Sequence, residues 1–188
     1  MPDLQVENIS KNDALDILDR IIGFVNNCDT KASIMLGIYG VLSTILFTSK
    51  GIIKLKNIII TSWKNGMRYD ILYLILIVFS SIVFVFGIYK LFQVLFPKTD
   101  CSDKQQDELD LDSKVFFGNI AKNPTYKQYK EKLLNCNDDD YINDIISQIY
   151  LNAFICDAKF KNYKIGFLTS FIGCILFVVF LGIGILIY

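Results

Sequence analysis

Residues 165–188 read IGFLTSFIGCILFVVFLGIGILIY, 24 positions without one charged side chain. A bilayer core of roughly 30 Å is crossed by about 17–25 apolar residues at 1.5 Å rise each, so this stretch is long enough to span it. A helix half-buried in a soluble core would carry a polar face at helical spacing, and this one carries none. The same holds for residues 71–89, ILYLILIVFSSIVFVFGIY, which are also free of charge. Residues 32–49, ASIMLGIYGVLSTILFTS, are uncharged as well but the least apolar of the three. The expected fold is therefore an all-α membrane protein with three transmembrane helices.

The composition agrees. Apolar residues make up 53% of the 188 and charged ones only 20%, against about 45–50% and 25% in an ordinary soluble domain. There is no histidine, which removes Ser-His-Asp and Cys-His nucleophile systems and every metal site built on imidazole. No motif joins a nucleophile to a base on one helix face, so an enzyme is not expected, and neither a cofactor nor a metal site. Lys and Arg total 19, as do Asp and Glu, so no excess of positive charge points to nucleic acid.

With three spans, the N-terminal segment and residues 90–164 share one side of the membrane, and the hairpin over residues 50–70 shares the other with the C-terminus. Arg20, Lys31, Lys90, Lys98, Lys159, Lys161 and Lys164 flank the spans on the first side, and Lys50, Lys54, Lys56, Lys64 and Arg68 crowd the hairpin. The count favours a cytoplasmic first side, while the density does not. Cys28, Cys101, Cys136 and Cys156 fall on the first side without C-x-x-C spacing. Reduced thiols in a reducing compartment are the natural reading. The first 13 residues are polar and mildly acidic and lack the basic n-region of a signal peptide. The expected location is the inner (plasma) membrane, multi-pass, with the bulk of the polar chain in the cytoplasm.

Four segments follow. Residues 1–31 hold a cytosolic amphipathic helix, in which Leu15, Leu18, Ile21, Ile22, Val25 and Cys28 recur at three- and four-residue intervals. No breaker separates it from the first span, so one helix of about 35 residues is expected to run from cytosol into membrane. Residues 32–96 form a two-span hairpin, ended by Pro97. Residues 97–163 form a cytosolic helical region: a polar stretch TDCSDKQQDELDLDSK, a compact block VFFGNIAKNPTYKQYKEKLL, and a helix over residues 141–163 with Ile142, Ile145, Ile146, Ile149, Ala153, Cys156 and Phe160 on one stripe. That helix continues into the third span, residues 164–188. Small residues Ser33, Gly37, Gly40 and Thr44 in span one, and Gly166, Ser170, Gly173 and Cys174 in span three, allow close packing of those spans or of separate chains.

Asp29 and Lys31 stand one turn before span one, where a carboxylate begins to lose hydration. They anchor the helix at the interface, or Asp29 pairs with Lys159 or Lys161 and holds the two long helices in register.

The run DTKASIMLG at the membrane boundary resembles the D-x-K-A segment of the transmembrane effectors of Pycsar antiphage defence systems. KVFFGNIAKNPTYKQY resembles their F-F-G-x-I-A block followed by a Tyr, and DIISQIYLNAFICDAKFKNYKIG resembles their final cytosolic helix, in the same order along the chain. The resemblance implies a partner enzyme, a pyrimidine cyclase that makes cyclic CMP or cyclic UMP on infection, and an effector activated by that nucleotide that impairs membrane integrity and aborts the infection. It makes residues 97–163 the sensor region. Phe116, Phe117, Tyr126 and Tyr129 would then supply stacking faces, Gly118 a close backbone approach, and the amides of Asn119 and Ile120 or the ammonium of Lys122 a contact to the phosphate. Asn119 or Asn123 would read the base edge. The plain alternative is that these aromatics pin a loop onto the helices. Three spans are too few to enclose a water-filled path, so a homo-oligomer is expected on activation, with membrane lipid the other partner. The competing function is a small helical membrane protein that regulates or assembles with others and takes no nucleotide.

Overall fold

A computed structural model describes residues 9–96 and 112–187. Every element among the described residues is an α-helix: α1 (Lys11–Leu46), α2 (Ser49–Asn65), α3 (Arg68–Leu95), α4 (Phe117–Ala121), α5 (Tyr126–Leu134) and α6 (Asp138–Ile187). Pro97, Cys101 and the polar stretch up to residue 111 lie outside the described residues, while Cys28, Cys136, Cys156 and Cys174 stand as thiols.

The first helix starts at a reciprocal cap. Ser10 accepts the Asp13 N–H through Oγ (3.2 Å) and donates to the Asp13 carboxylate (2.7 Å), satisfying an amide that the helix start leaves without an intrahelical partner. The helix then runs 36 residues without interruption. It stops at Leu46, four residues before Lys50, and the chain turns. Thr48 accepts the Gly51 N–H at 3.3 Å and opens α2. A side chain on Gly51 would strike the Leu46 carbonyl oxygen, so this corner requires glycine. The two helices meet at 73°.

Residues 50–70 are thus mostly helix, not the simple loop of a two-span hairpin. Gly66, at φ 64, closes α2 in the left-handed conformation and returns its N–H to the Ser62 carbonyl, a conformation that favours glycine. After Met67 the chain enters α3. By length and apolar composition α3 and α6 each suffice to cross a membrane. Residues 11–65 reach that standard only if α1 and α2 together form one bent span.

The described chain divides into two compact units, residues 9–26 with 112–158, and residues 27–96 with 159–187. In the first, Ala14 and Ile145 are buried apolar positions, and Lys11 lies 4.3 Å over the Tyr141 ring, a cation–π contact. Leu15, Leu18, Ile21 and Val25 are half-buried and Ile22 is exposed. On α6 the expected stripe is displaced: Asp144, Ser147 and Gln148 are buried beside Ile145, whereas Ile146 is exposed. Asn137 caps that helix by accepting the Asp140 N–H (2.7 Å), and Asp138, Asp139 and Asp140 occupy its first turn, where negative charge faces the positive end of the helix dipole.

In the second unit Cys28, Ala32 and Tyr39 of α1 gather with Leu91 and Val94 of α3, flanked by Tyr163 and Cys174 of α6. The Tyr39 ring meets Phe84 edge-on at 5.2 Å, and the hydroxyls of Tyr39 and Ser170 share a hydrogen bond of 3.0 Å. Tyr73 donates to the Phe180 carbonyl at 2.9 Å. Gly166 and Gly173 of α6 lie against α3, while Ser170 touches both α3 and, through Tyr39, α1. A side chain on Gly87 would strike the Ser170 backbone, and one on Gly173 would come within 2.5 Å of the Phe84 amide nitrogen. Gly37 and Gly40 of α1 have open space around them, and Ser33 and Thr44 are exposed. The physical reason is bulk: α1 presents Met35, Leu36 and Tyr39 to the bundle, so its small face turns outward, while α3 and α6 meet at glycines.

Candidate functional site

The compact block after residue 112 is organised by its hydroxyl, carboxyl and amide groups. Ser113, 2% exposed, accepts the N–H groups of Val115 (3.2 Å) and Phe116 (3.0 Å) through Oγ, making a tight turn. Asp144, fully buried on α6, accepts the Lys114 N–H at 2.6 Å. Tyr129 on α5 donates to the Lys114 carbonyl at 3.1 Å, and Lys132 pairs with Asp112. Both backbone groups of Lys114 are therefore held by side chains from two helices.

From this turn the chain enters α4. The Phe116 carbonyl accepts the N–H groups of Asn119 and Ile120, each at 3.0 Å. Those two amides close the helical turn, which engages the N–H groups expected to meet a phosphate. Asn123 donates through Nδ2 to the carbonyls of Asn119 and Ile120, both at 3.0 Å, which commits its donor hydrogens to the turn. Thr125 then caps α5 by accepting the Gln128 N–H (3.3 Å).

The structure sorts the candidate residues into two groups. Phe116, Gly118, Asn119 and Tyr129 are half-buried. The Phe116 ring packs at 4.7 Å from that of Phe117, and a side chain on Gly118 would come within 2.7 Å of that Phe116 ring. Gly118 thus accommodates a neighbouring phenyl ring, and Tyr129 uses its hydroxyl as a clamp. Phe117 at 69% exposure and Tyr126 at 78% keep open faces, and Lys122 between them is exposed. By type these three are two aromatic faces and a cation, spread along residues 117–126. A separate shallow cleft lined by Ile9, Asp139, Ile142, Asn143 and Ile146 carries a carboxylate and suits no anion.

The second unit holds the other candidates. Lys159 donates to both oxygens of Asp29, at 2.5 and 2.8 Å. The lysine side chain is 6% exposed and the aspartate 34%, so this pair ties α1 to α6 largely out of water. Lys31 is exposed and stands apart from it. Asp144 and Ser113 had no signal in the sequence: Asp144 follows a run of acidic residues that reads as helix capping, and a single serine before two phenylalanines has no pattern. Among the described residues no three His, Cys, Asp or Glu side chains gather as a metal site.

The family model described as the Pycsar effector protein domain matches residues 13–186. The chain is 30% identical over 185 residues to the Pycsar effector protein GmPycTM of Gulbenkiania mobilis, covering 94% of this chain and 93% of that one. It is 23% identical over 149 residues to the Pycsar effector protein EcPycTM of Escherichia coli, covering 79% and 76%. No solved structure matches the chain.

Proposed function

Since the chain belongs to the Pycsar effector protein family, we propose that it is a membrane-bound effector of antiphage defence, switched on by a cyclic pyrimidine mononucleotide. The observation that carries this reading is the family match over residues 13–186, which takes in both units. The partner is a pyrimidine cyclase supplying cyclic CMP or cyclic UMP, and the outcome is loss of membrane integrity and abortive infection.

Phe117 and Tyr126 stack on the base, at about 1–3 kcal/mol per base–aromatic contact, and Lys122 meets the single phosphate charge. The Ser113–Asp144–Tyr129 clamp holds the turn that positions them. Helices α1 and α6 each contribute residues to both units without a break. A ligand that prefers one arrangement of the first unit therefore acts on helices that continue into the second. A thousandfold preference supplies about 4 kcal/mol. The first unit faces the cytoplasm, where the nucleotide is made, and the C-terminus lies beyond the inner membrane.

The test is toxicity in cells with and without the nucleotide. Phe117→Ala combined with Lys122→Ala removes two exposed side chains that lie outside the clamp on Lys114, so insertion persists while nucleotide-dependent toxicity is lost. An unchanged response at the same nucleotide level would make the block structural. The engagement of Tyr129 and of the Asn119 and Ile120 amides in local structure favours the second reading, a regulatory or assembly partner without a ligand, and toxicity independent of nucleotide is its signature.

A further inference from the structure

Helix α2 belongs to none of the machinery above, and its surface has two faces with one shared preference. Residues 49–69 carry Lys50, Lys54, Lys56, Lys64 and Arg68 and no Asp or Glu, and all five cations are exposed. Ile58 and Ser62 are buried. Next to them runs an exposed row of Ile52 (50%), Ile59 (42%) and Trp63 (76%) at i, i+7 and i+11, interrupted at i+4 by Lys56, whose long stem lets its ammonium reach outward to headgroups. On the opposite flank Lys50, Lys54, Asn57, Thr61 and Lys64 repeat at four- and three-residue steps, a polar row along the same helix. Helix α2 turns 73° away from α1. Five cations inside a hydrocarbon core would be costly, whereas a helix with an apolar row and a basic row lies at the boundary of lipid and water. Tyr69, 64% exposed at the start of α3, adds an aromatic ring of the kind enriched at membrane interfaces.

We propose that α2 is an interfacial helix that binds anionic phospholipid headgroups, with Lys50, Lys54, Lys56, Lys64 and Arg68 at the phosphates and Ile52, Ile59 and Trp63 in the upper acyl region. The argument is charge complementarity: five exposed cations and no anion over 21 residues select a negative surface over a zwitterionic one. Each basic side chain held near such a surface strengthens binding by about fivefold. Neither the nucleotide nor the aromatic block enters this argument, so it stands apart from the reading of the first unit.

Trp63 is the chain's one tryptophan, and its fluorescence reports on α2 alone. The full chain is reconstituted in phosphatidylcholine vesicles containing an equal minor fraction of either phosphatidylglycerol or phosphatidylcholine brominated near the carbonyl end of the acyl chain. Brominated phosphatidylglycerol should quench Trp63 several-fold more strongly, and the preference should fall in high salt, where charge is screened. The triple variant Lys54→Gln, Lys56→Gln, Lys64→Gln should quench equally with both lipids, while Lys127→Gln with Lys130→Gln on α5 should keep the preference. Equal quenching of the native chain by the two lipids overturns the proposal, as does a preference that survives in the triple variant. Absence of quenching by either lipid overturns it too, by placing Trp63 outside the acyl boundary.

Discussion

At the level of single residues the Asp29–Lys159 pair has the sharpest consequence. An exposed ion pair contributes at most about 1 kcal/mol, whereas breaking a buried one costs roughly 3–5. With the lysine at 6% and the aspartate at 34% exposure, Lys159→Ala should destabilise the second unit by an amount between those limits, read as a lower unfolding midpoint in detergent. Asp29→Lys with Lys159→Asp should recover a good part of that loss, and a double variant no better than either single one would show that the pair adds nothing. Gly173→Ile should act on the same unit. Its side chain would meet the Phe84 backbone, and overpacking costs roughly 1–3 kcal/mol, so the expected result is a lower midpoint in the isolated chain before any assembly. The sequence offered this pair as one of two readings of Asp29, with Lys159 or Lys161 as the partner, because both lysines stand near the start of the last uncharged run. Asp144 was not legible, because a carboxylate that accepts one backbone N–H across 30 residues leaves no local pattern.

At the level of elements, α3 and the long α6 followed from uncharged runs and the absence of breakers between residues 141 and 188. The end of α1 did not. A reading based on charge carries span one to Lys50, whereas the chain turns at residues 47–48, where Thr48 caps and Gly51 makes room. Threonine and glycine within an apolar run look like packing residues, so the corner is invisible to hydropathy. Of the basic residues beyond it, Lys50, Lys54 and Lys64 lie on the polar row of α2, and Arg68 opens α3. The same corner gives a prediction: Gly51→Val should strain the start of α2, and amide exchange should accelerate over residues 49–55 while α3 keeps its protection. Unchanged exchange there would mean that the corner tolerates a side chain. In the first unit, Asp144→Ala should free the Lys114 N–H and speed exchange over residues 113–118. If that segment stays protected, Tyr129 alone suffices as the clamp.

At the level of the whole molecule, the uncharged part of α1, residues 32–46, extends about 22 Å at 1.5 Å per residue, less than a hydrocarbon core of roughly 30 Å. With two or three spans one chain would not enclose an aqueous path, so the membrane damage proposed above would require several chains. Crosslinking in membranes should yield higher species on addition of the cyclic nucleotide, and a strictly monomeric pattern alongside continuing leakage would defeat that requirement. A reporter fused after Tyr188 should be active outside the cytoplasm and one inserted at Pro124 inside; the reverse would put the aromatic block out of reach of a cytosolic messenger.

Helix α2 is tethered at both ends by connections of only two residues, 47–48 toward α1 and 66–67 toward α3. At about 3.5 Å per extended residue, each tether has a few ångströms of slack. Helix α2 thus bridges the end of α1 and the start of α3, so any change in the spacing of those two ends has to tilt or roll it. Seated in the lipid surface as proposed, α2 would couple that spacing to the bilayer in both directions. Whatever moves the spans disturbs the headgroups, and a change in bilayer thickness or lateral pressure shifts the equilibrium of the spans by the same free energy.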